Sequence, residues 1–364
     1  MRIPQHILNL KSYKPGKPVS QICEELGIQS PAILWNNENN AGPSPGVKNA
    51  IAKVADVLHR YPDPLSDVLV ESISALCHRQ PSEIVVGNGS EAILNNLFTT
   101  FFEPGDTLLT SEGTFVAVYI WAKAHNVSVQ SVPLTSEYAY DLEGIIKSIN
   151  SSTRLIYIAS PNNPTGTGVS AAQLDDFLKR VPEHILVLVD EAYYEYAVAI
   201  DNSFPDSTTL QMPNVITLRT FSKAYGIAGV RIGYVVAAEA IAEALRKVKL
   251  TFEPGICAQA AALAAIRDRQ YLQKCVVLNR DTLQAYYSCF ASNGIGYIPS
   301  YGNFVMLDMR DEENATALTE FLLRKGVFVR HLKAFGLPEC VRVSTGLPQE
   351  TQSFIASVSD FIQP

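Results

Sequence analysis

The sequence predicts an α/β protein: a large three-layer α/β/α domain around a mainly parallel, mixed sheet, and a smaller α+β domain. Three observations carry that expectation. From residue 46 to about residue 255 short apolar segments alternate with helix-like ones, polar motifs recur where the apolar segments end, and the pattern changes after residue 256. Short apolar runs separated by helices mark strands buried on both faces, because crossover helices cover both sides of a parallel sheet.

At 364 residues, with 47% hydrophobic and 18% charged residues, the chain can bury a large core and divide into two domains. The formal net charge of −7, with no basic cluster, argues against a nucleic-acid partner, so an anionic ligand needs a local site. Six cysteines (Cys23, Cys77, Cys257, Cys275, Cys289, Cys340) have no C-x-x-C spacing. They indicate neither a metal site nor a disulfide framework and read as reduced, cytoplasmic thiols. Residues 1–10 lack a charged region followed by a long apolar stretch, and no apolar run approaches the roughly 20 residues that span a bilayer, so no membrane or export role is expected.

The elements follow in order. Residues 1–45, rich in Pro, Gly and Asn, carry turn signals at Lys14-Pro15-Gly16-Lys17-Pro18 and Gly42-Pro43-Ser44-Pro45 and read as an arm rather than a core, one expected to join the small domain. Residues 46–255 form the large domain, with helices over 47–59, 64–77, 90–102 and 115–125 and strands over 83–86, 107–111, 127–132, 155–159, 185–189, 215–219 and 232–236. Residues 256–364 form the small domain: a long helix through 258–268 and onward, strands near 303–307, 327–330 and 341–344, and a final helix.

Four polar motifs fall at one edge of the expected sheet: Gly87-Asn88-Gly89-Ser90-Glu91, the stretch Ser160 to Gly166, Asp190-Glu191, and Thr220 to Lys223. A ligand site therefore belongs beyond the C-terminal ends of the strands. The run Arg219 to Gly229, closed by Arg231, puts a lysine, two hydroxyls and an arginine among small residues that let backbone approach a ligand. A lysine in that setting can attack a carbonyl while its neighbours hold a phosphate, which points to pyridoxal 5′-phosphate. The bland alternative is a solvated surface lysine.

These motifs together resemble the fold-type I pyridoxal-phosphate-dependent aminotransferases, and within them the histidinol-phosphate aminotransferase group. The resemblance covers roughly residues 12–350 and also draws on Tyr13-Lys14-Pro15-Gly16-Lys17-Pro18, Asn37-Glu38-Asn39, Tyr61-Pro62-Asp63, Val189-Asp190-Glu191-Ala192-Tyr193 and Val341-Arg342-Val343. It implies that Lys223 is the Schiff-base residue and proton carrier, which requires it to be neutral for part of the cycle. It implies that Asp190 pairs with the pyridine nitrogen, where the other reading is a helix cap or salt bridge. Glu191, one residue on, faces the other way.

For the cofactor's phosphate, Gly89, Ser90 and Glu91 offer amides at a helix start, Thr220, Ser222 and Ser90 add hydroxyls, and Arg231 adds charge; a Ser there is otherwise simply an N-cap. Tyr61 matches a tyrosine that reaches the neighbouring subunit's phosphate, which implies a homodimer, and is otherwise a turn residue beside Pro62. Phe115 matches the aromatic that stacks on the ring, or is a core residue. Asn163 and Tyr193 match the residues that hydrogen-bond the phenolic oxygen. Arg342 and Arg330 resemble the pair that grips the substrate's anionic end, or are surface charges; Tyr13 and Asn39 from the arm are further substrate candidates.

The implied activity is ping-pong transfer of an amino group between L-histidinol phosphate and 2-oxoglutarate, in histidine biosynthesis, through pyridoxamine phosphate. Alternatives are an aminotransferase for another aromatic or basic amino acid, a decarboxylase of phosphorylated amino acids on the same scaffold, and a cofactor-binding regulator, for which the chain leaves no room for a nucleic-acid-binding domain. The chain departs from the family pattern at Asn40-Ala41 and at Thr251-Phe252-Glu253-Pro254-Gly255. Glu253 would favour a cationic or donor-rich side chain if it faces the pocket.

Overall fold

The computed structural model describes residues 2–10 and 17–362. Seven strands form one sheet in the order Ile84–Gly87, Gly233–Ala237, Val215–Thr220, Leu186–Asp190, Thr153–Ala159, Thr107–Ser111, Ser128–Val132. All run in one direction except Gly233–Ala237, which is antiparallel to both neighbours.

The absence of polar alternation in these strands follows from the two cores they separate. Leu155, Tyr157, Leu188 and Leu218 face a core under helices Ser90–Phe101, Val116–Ala124 and Glu239–Val248. Ile156, Ile158, Val187 and Val189, their alternates, face a core under helices Leu142–Ser148 and Ala171–Arg180. Both faces are dry, so both sets are apolar. Helices Leu142–Ser148, Ala171–Arg180, Tyr194–Ile200 and Glu239–Val248 lie outside the sequence expectation. Parallel neighbours require crossovers of this kind. For Ala171–Arg180 a capping box between Ser170 and Gln173 marked the start.

A second, four-stranded antiparallel sheet runs Arg330–His331, Cys340–Ser344, Phe304–Asp308, Gly296–Ile298. Its core includes Tyr286 and Phe290 of helix Arg269–Asn293, Leu318 of helix Glu312–Arg324 and Phe354 of helix Pro348–Ile362.

The structure corrects three expectations. Part of the arm is core: Ala32–Ile33 is a strand parallel to Val327–Phe328, and Ala32 and Leu34 are buried with Phe290 and Val305. The stretch 327–330 is two strands in different sheets, Val327–Phe328 against the arm and Arg330–His331 against Cys340–Ser344. The long helix breaks at Asp268, whose carboxylate accepts from Tyr271 N at 3.1 Å to cap the second helix. The first of the two, Ile256–Arg267, packs through Ala258, Ala261 and Ala262 against Ile84, Phe221 and Tyr234, which is the core of the large sheet rather than of the smaller one.

One edge of the large sheet gathers Gly87, Ala159, Asp190, Thr220 and, from the antiparallel strand, Gly233. Gly233 is needed there because a Cβ would lie 2.8 Å from Ser90 N and 2.9 Å from Arg219 O. Its bareness lets the start of helix Ser90–Phe101 sit directly on the sheet. Behind this edge Arg219 and Glu191 are 4% and 1% exposed and bonded at 2.7 Å, with Asp206 on the same guanidinium at 2.6 Å. Tyr194 stacks on it, its ring centroid 3.7 Å from Arg219 Cζ. Arg219→Met strands the Glu191 carboxylate and should lower the unfolding free energy by about 3–5 kcal/mol, read as an earlier urea midpoint by circular dichroism.

Candidate active site

A cavity of about 200 Å³ opens at this strand edge. Its walls bring together Ser90, Glu91, Phe115, Asn163, Asp190, Tyr193, Thr220, Ser222, Lys223 and Arg231 from the sequence expectation. Asn36, Glu38 and Tyr157 also line it and were not anticipated.

One end suits an anion. Gly89, at φ 84°, enters the helix Ser90–Phe101 with no side-chain cap, so the first amides of the helix have no acceptor of their own. A Cβ at Gly89 would meet Arg231 Nη2 at 2.8 Å, so the glycine allows the guanidinium to close over the helix start. Arg231 takes φ 57° and donates to Ala228 O at 3.0 Å, which aims it back toward that end. Opposite, Ser222 N donates to Thr220 Oγ1 at 3.1 Å and Thr220 Oγ1 donates to Ser222 Oγ at 3.0 Å, which fixes both hydroxyls. Helix dipole, amides, hydroxyls and arginine together favour a phosphate.

The other end is a buried carboxylate. Asp190 Oδ2 accepts from Tyr157 OH at 2.7 Å and Oδ1 from Ala192 N at 3.1 Å. Burial pushes its carboxyl up to about 6, against those hydrogen bonds, which leaves it in need of a cationic partner. Between the two ends, Lys223 Nζ donates to Asn36 O and Asn37 O, both at 3.2 Å, and lies 5.7 Å from the Tyr193 ring centroid. Burial, and after it the Arg342 charge, lower its amine to about 8. At pH 7 about a tenth of such an amine is neutral, against a negligible share for an unperturbed lysine.

The side walls are held by buried polar bonds. Thr114 Oγ1 donates to Asn162 Oδ1 at 2.8 Å, and Asn162 Nδ2 donates to Gly113 O at 3.0 Å. This ties the turn that carries Phe115 to the turn that carries Asn163. Asn163 Oδ1 accepts from Arg342, which commits its amide NH2 to the cavity. Tyr193 OH accepts from Asn37 Nδ2 at 2.9 Å, and Asn37 Oδ1 accepts from Ser344 Oγ at 2.9 Å. Asn37 thus joins the arm, the large sheet and the smaller sheet, in a left-handed conformation (φ 55°) that asparagine tolerates. The asparagine cluster Asn36-Asn37-Glu38-Asn39-Asn40 was its signal in the sequence; for Tyr157 it was a lone phenol in an apolar strand, which needs a partner when buried.

Several expected residues lie elsewhere. Asn39 is not among the residues that line the cavity: its Nδ2 donates to Ala224 O at 2.9 Å and its Oδ1 accepts from Ala41 N at 3.1 Å, which fixes the loop. Tyr61 is 78% exposed and stacked on Phe252, away from this chain's cavity. Glu253 lies beside Lys249, which donates to its carbonyl, and does not line the cavity. Asn40 Nδ2 donates to Glu350 Oε2 at 2.8 Å and to Ile33 O at 3.2 Å, a clip from the arm to the last helix. Tyr13 lies outside the described residues.

Arg342 is 4% exposed and reaches the site through Asn163. Its Nη2 donates to Trp35 O at 2.7 Å, while Nε is buried with no partner among the described residues. Arg330 Nη2 donates to Asn36 Oδ1 at 2.7 Å. Among the described residues neither guanidinium has a carboxylate partner.

Known proteins share this fold and much of this sequence. The family model for aminotransferase class I and II matches residues 32–357. The chain belongs to that family. A histidinol-phosphate aminotransferase of Bacillus velezensis is 36% identical over the whole of both chains. One of Idiomarina loihiensis, histidinol-phosphate aminotransferase 1, is 38% identical over 97% of this chain and 95% of its own. Among solved structures, the histidinol-phosphate aminotransferase of Sinorhizobium meliloti in complex with pyridoxal 5′-phosphate superposes with a TM-score of 0.91 at 30% identity, covering 100% of this chain and 98% of that one.

This aminotransferase is a pyridoxal-phosphate-dependent transaminase, and the cavity fits the group on its own chemistry. It offers an amine of lowered basicity, a buried carboxylate without a cation, and a bare helix start under an arginine. Since capture of an aldehyde needs the neutral amine, the rate at which cofactor-free enzyme takes up pyridoxal phosphate should rise with pH and level off above about 8. Arg342→Gln removes a positive neighbour and should move that midpoint upward, measured by stopped-flow absorbance.

Proposed function

We propose that this aminotransferase exchanges an amino group between L-histidinol phosphate and 2-oxoglutarate, as part of histidine biosynthesis. The observation that carries the reading is the pair of guanidiniums without a carboxylate partner, Arg330 and Arg342, beside Asn163. Arg330 is close enough to help depress Arg342, which burial lowers to about 10. Two uncompensated cations that each touch a wall residue of an amine-binding cavity, Asn36 and Asn163, call for a ligand with strong negative charge, which a phosphate monoester or a second carboxylate supplies. Relatives along the full length carry the name of that activity.

In this reading Lys223 takes the proton from the substrate's α-carbon and later returns one, cycling between amine and ammonium. Bound pyridoxal phosphate supplies the electron sink for that proton transfer. Asp190 holds the pyridine nitrogen in its charged form, Phe115 covers the ring face against water, and Asn163 and Tyr193 donate to the phenolic oxygen. Gly89, Ser90, Glu91, Thr220, Ser222 and Arg231 hold the phosphate. The low basicity of Lys223 supports its role, because only the neutral amine accepts a proton.

The reading includes a homodimer. Tyr61 and Phe252 stack at 4.2 Å, and Leu58, Leu65, Val68 and Leu250, near them in the chain, are also exposed, which is apolar surface fit for a second copy. Tyr61 would then serve the phosphate end of the neighbouring subunit. We place the enzyme in the cytoplasm, in keeping with six free cysteines; among the described residues no helix is long and apolar enough to cross a membrane. We divide the chain into an arm (1–45), a cofactor domain (46–255) and a small domain (256–364), with helix Ile256–Arg267 as the piece shared in packing.

A panel of half-reactions tests the substrate: histidinol phosphate should discharge the yellow absorbance of the holoenzyme faster than aromatic, basic or aliphatic amino acids. A fast response to another amine with none to histidinol phosphate would sink the assignment, and carbon dioxide release without 2-oxoglutarate would mark a decarboxylase. Arg330→Ala should weaken histidinol phosphate about 10- to 100-fold. Lys223→Ala should abolish repeated turnover, and a variant that kept it would refute the proton-carrier role.

A further inference from the structure

The phenol of Tyr157 stands between Ile156 and Ile158 in the strand Thr153–Ala159, fully buried at 0% exposure. Its hydroxyl has one partner, Asp190 Oδ2, at 2.7 Å, and it lines the cavity that holds Lys223. The register explains the contact: Tyr157 lies opposite Leu188 on the neighbouring strand, so its long side chain reaches past Ala159 to the residue at the strand end. Ala192 N holds the other carboxylate oxygen from the loop beyond. Asp190 is thus gripped by two donors from two segments, one on each oxygen.

We infer that Tyr157 is a positioning residue that keeps the Asp190 carboxylate ionised and aimed, and so keeps the shared proton on the cofactor's pyridine nitrogen. This rests on the proposed pairing of Asp190 with that nitrogen. A proton between a carboxylate and a pyridine goes to the more basic group. A hydrogen bond donated to the carboxylate lowers its basicity and leaves the proton on the ring. Burial works in the opposite sense, pushing Asp190 up to about 6 with Tyr157 as the first group that opposes it. Without the phenol, the dry surroundings would favour the neutral acid, and the ring would lose the charge that draws electrons from the substrate.

The other titratable groups that act on Asp190 are distributed so that none replaces the phenol. Glu191 is turned away to Arg219, Tyr193 OH accepts from Asn37 and in the proposed reading donates to the cofactor's phenolic oxygen, and the Lys223 ammonium donates to Asn36 and Asn37 carbonyls. Tyr157 itself is held well above the ordinary phenol range, by burial first and then by Asp190, so it remains a donor at any working pH. Its backbone is fixed as well, with Thr110 Oγ1 donating to Tyr157 O at 2.9 Å.

The test compares Tyr157→Phe, Asp190→Asn and the double variant as purified holoenzymes. Phenylalanine keeps the ring and its packing, and circular dichroism with a urea midpoint checks folding. Two readouts do not depend on turnover: the dissociation constant of pyridoxal phosphate, and the pH midpoint of the bound cofactor's visible absorbance. Tyr157→Phe should weaken the cofactor about tenfold, the value of one hydrogen bond to a charged group. With less positive charge in the ring, the proton near Lys223 should be held to higher pH, so the absorbance midpoint should rise by roughly half a unit or more. kcat should fall about tenfold with little change in KM for the amino donor.

Asp190→Asn should disturb affinity and midpoint more strongly, and adding Tyr157→Phe to it should change neither further. If Asp190→Asn leaves both where they were, the pairing of Asp190 fails, and this inference with it. If Asp190→Asn moves them and Tyr157→Phe does not, the pairing stands and the role of Tyr157 is overturned. A Tyr157→Phe effect that persists in the Asp190→Asn background would mean that the phenol acts on the ligand directly, which also overturns a role through Asp190.

Discussion

Two carboxyl groups stand side by side at the end of the middle strand of the large sheet, and the site depends on keeping them in different company. Strand geometry sends Asp190 and Glu191 to opposite sides. Glu191 is neutralised at once by Arg219 of the adjacent strand, at 2.7 Å. Asp190 receives only neutral donors, Tyr157 and Ala192, and retains an unmet demand for a cation. Were Arg219 on the cavity side, that demand would already be satisfied and no pyridine could be held. The fully compensated ion pair behind the sheet is therefore what allows an uncompensated carboxylate in front of it.

The same logic, with opposite sign, governs the substrate end. Lys223, Arg342 and Arg330 are held chiefly by backbone carbonyls and amide oxygens of residues 35–37 and 163 rather than by carboxylates. Carbonyl dipoles satisfy the geometry of these cations without cancelling their charge. The amine stays weakly basic because it is buried and, after that, because its neighbours remain positive, and the guanidiniums stay available for an anion. Glu38, at the cavity wall, and after it Asp190 are the acidic groups that oppose this lowering of Lys223, and Glu38 sits on the exposed side of the arm.

How much of this was legible in the sequence depended on whether the signal was local. Strands and their polar ends were legible because an apolar run followed by Gly-Asn-Gly-Ser, Pro-Asn-Asn-Pro-Thr-Gly or Asp-Glu is a contiguous pattern, and it located Asp190, Asn163, Lys223 and the helix start at Ser90. The break at Asp268 was not, since one capping aspartate within a continuous helical pattern leaves the period unchanged. Asn37 was missed and Asn39 singled out instead because five residues from 36 to 40 are nearly alike in composition. Which of them turns inward is set by the left-handed conformation at Asn37 and by Ser344, some three hundred residues away in the chain. Tyr157 left a faint mark, a phenol where every neighbour is aliphatic, but its partner lies on another strand and only the register supplies it.

The arm shows why the two ends of the site cannot be treated separately. Ala32–Ile33 is clamped into the smaller sheet's unit by Val327–Phe328, and Asn40 is clipped to Glu350 of the last helix. The few residues between these anchors must therefore follow the C-terminal unit. Yet Asn36 O and Asn37 O accept from Lys223, and Asn37 Nδ2 donates to Tyr193, both of which belong to the large sheet's edge. Trp35 O and Asn36 Oδ1, in the same stretch, accept from Arg342 and Arg330. A ligand anion that draws the guanidiniums toward itself competes for them with the oxygens of the very segment that steadies the lysine. Charge recognition at one end and the setting of the proton carrier at the other thus share a single strip of backbone, and specificity and chemistry are mechanically joined there.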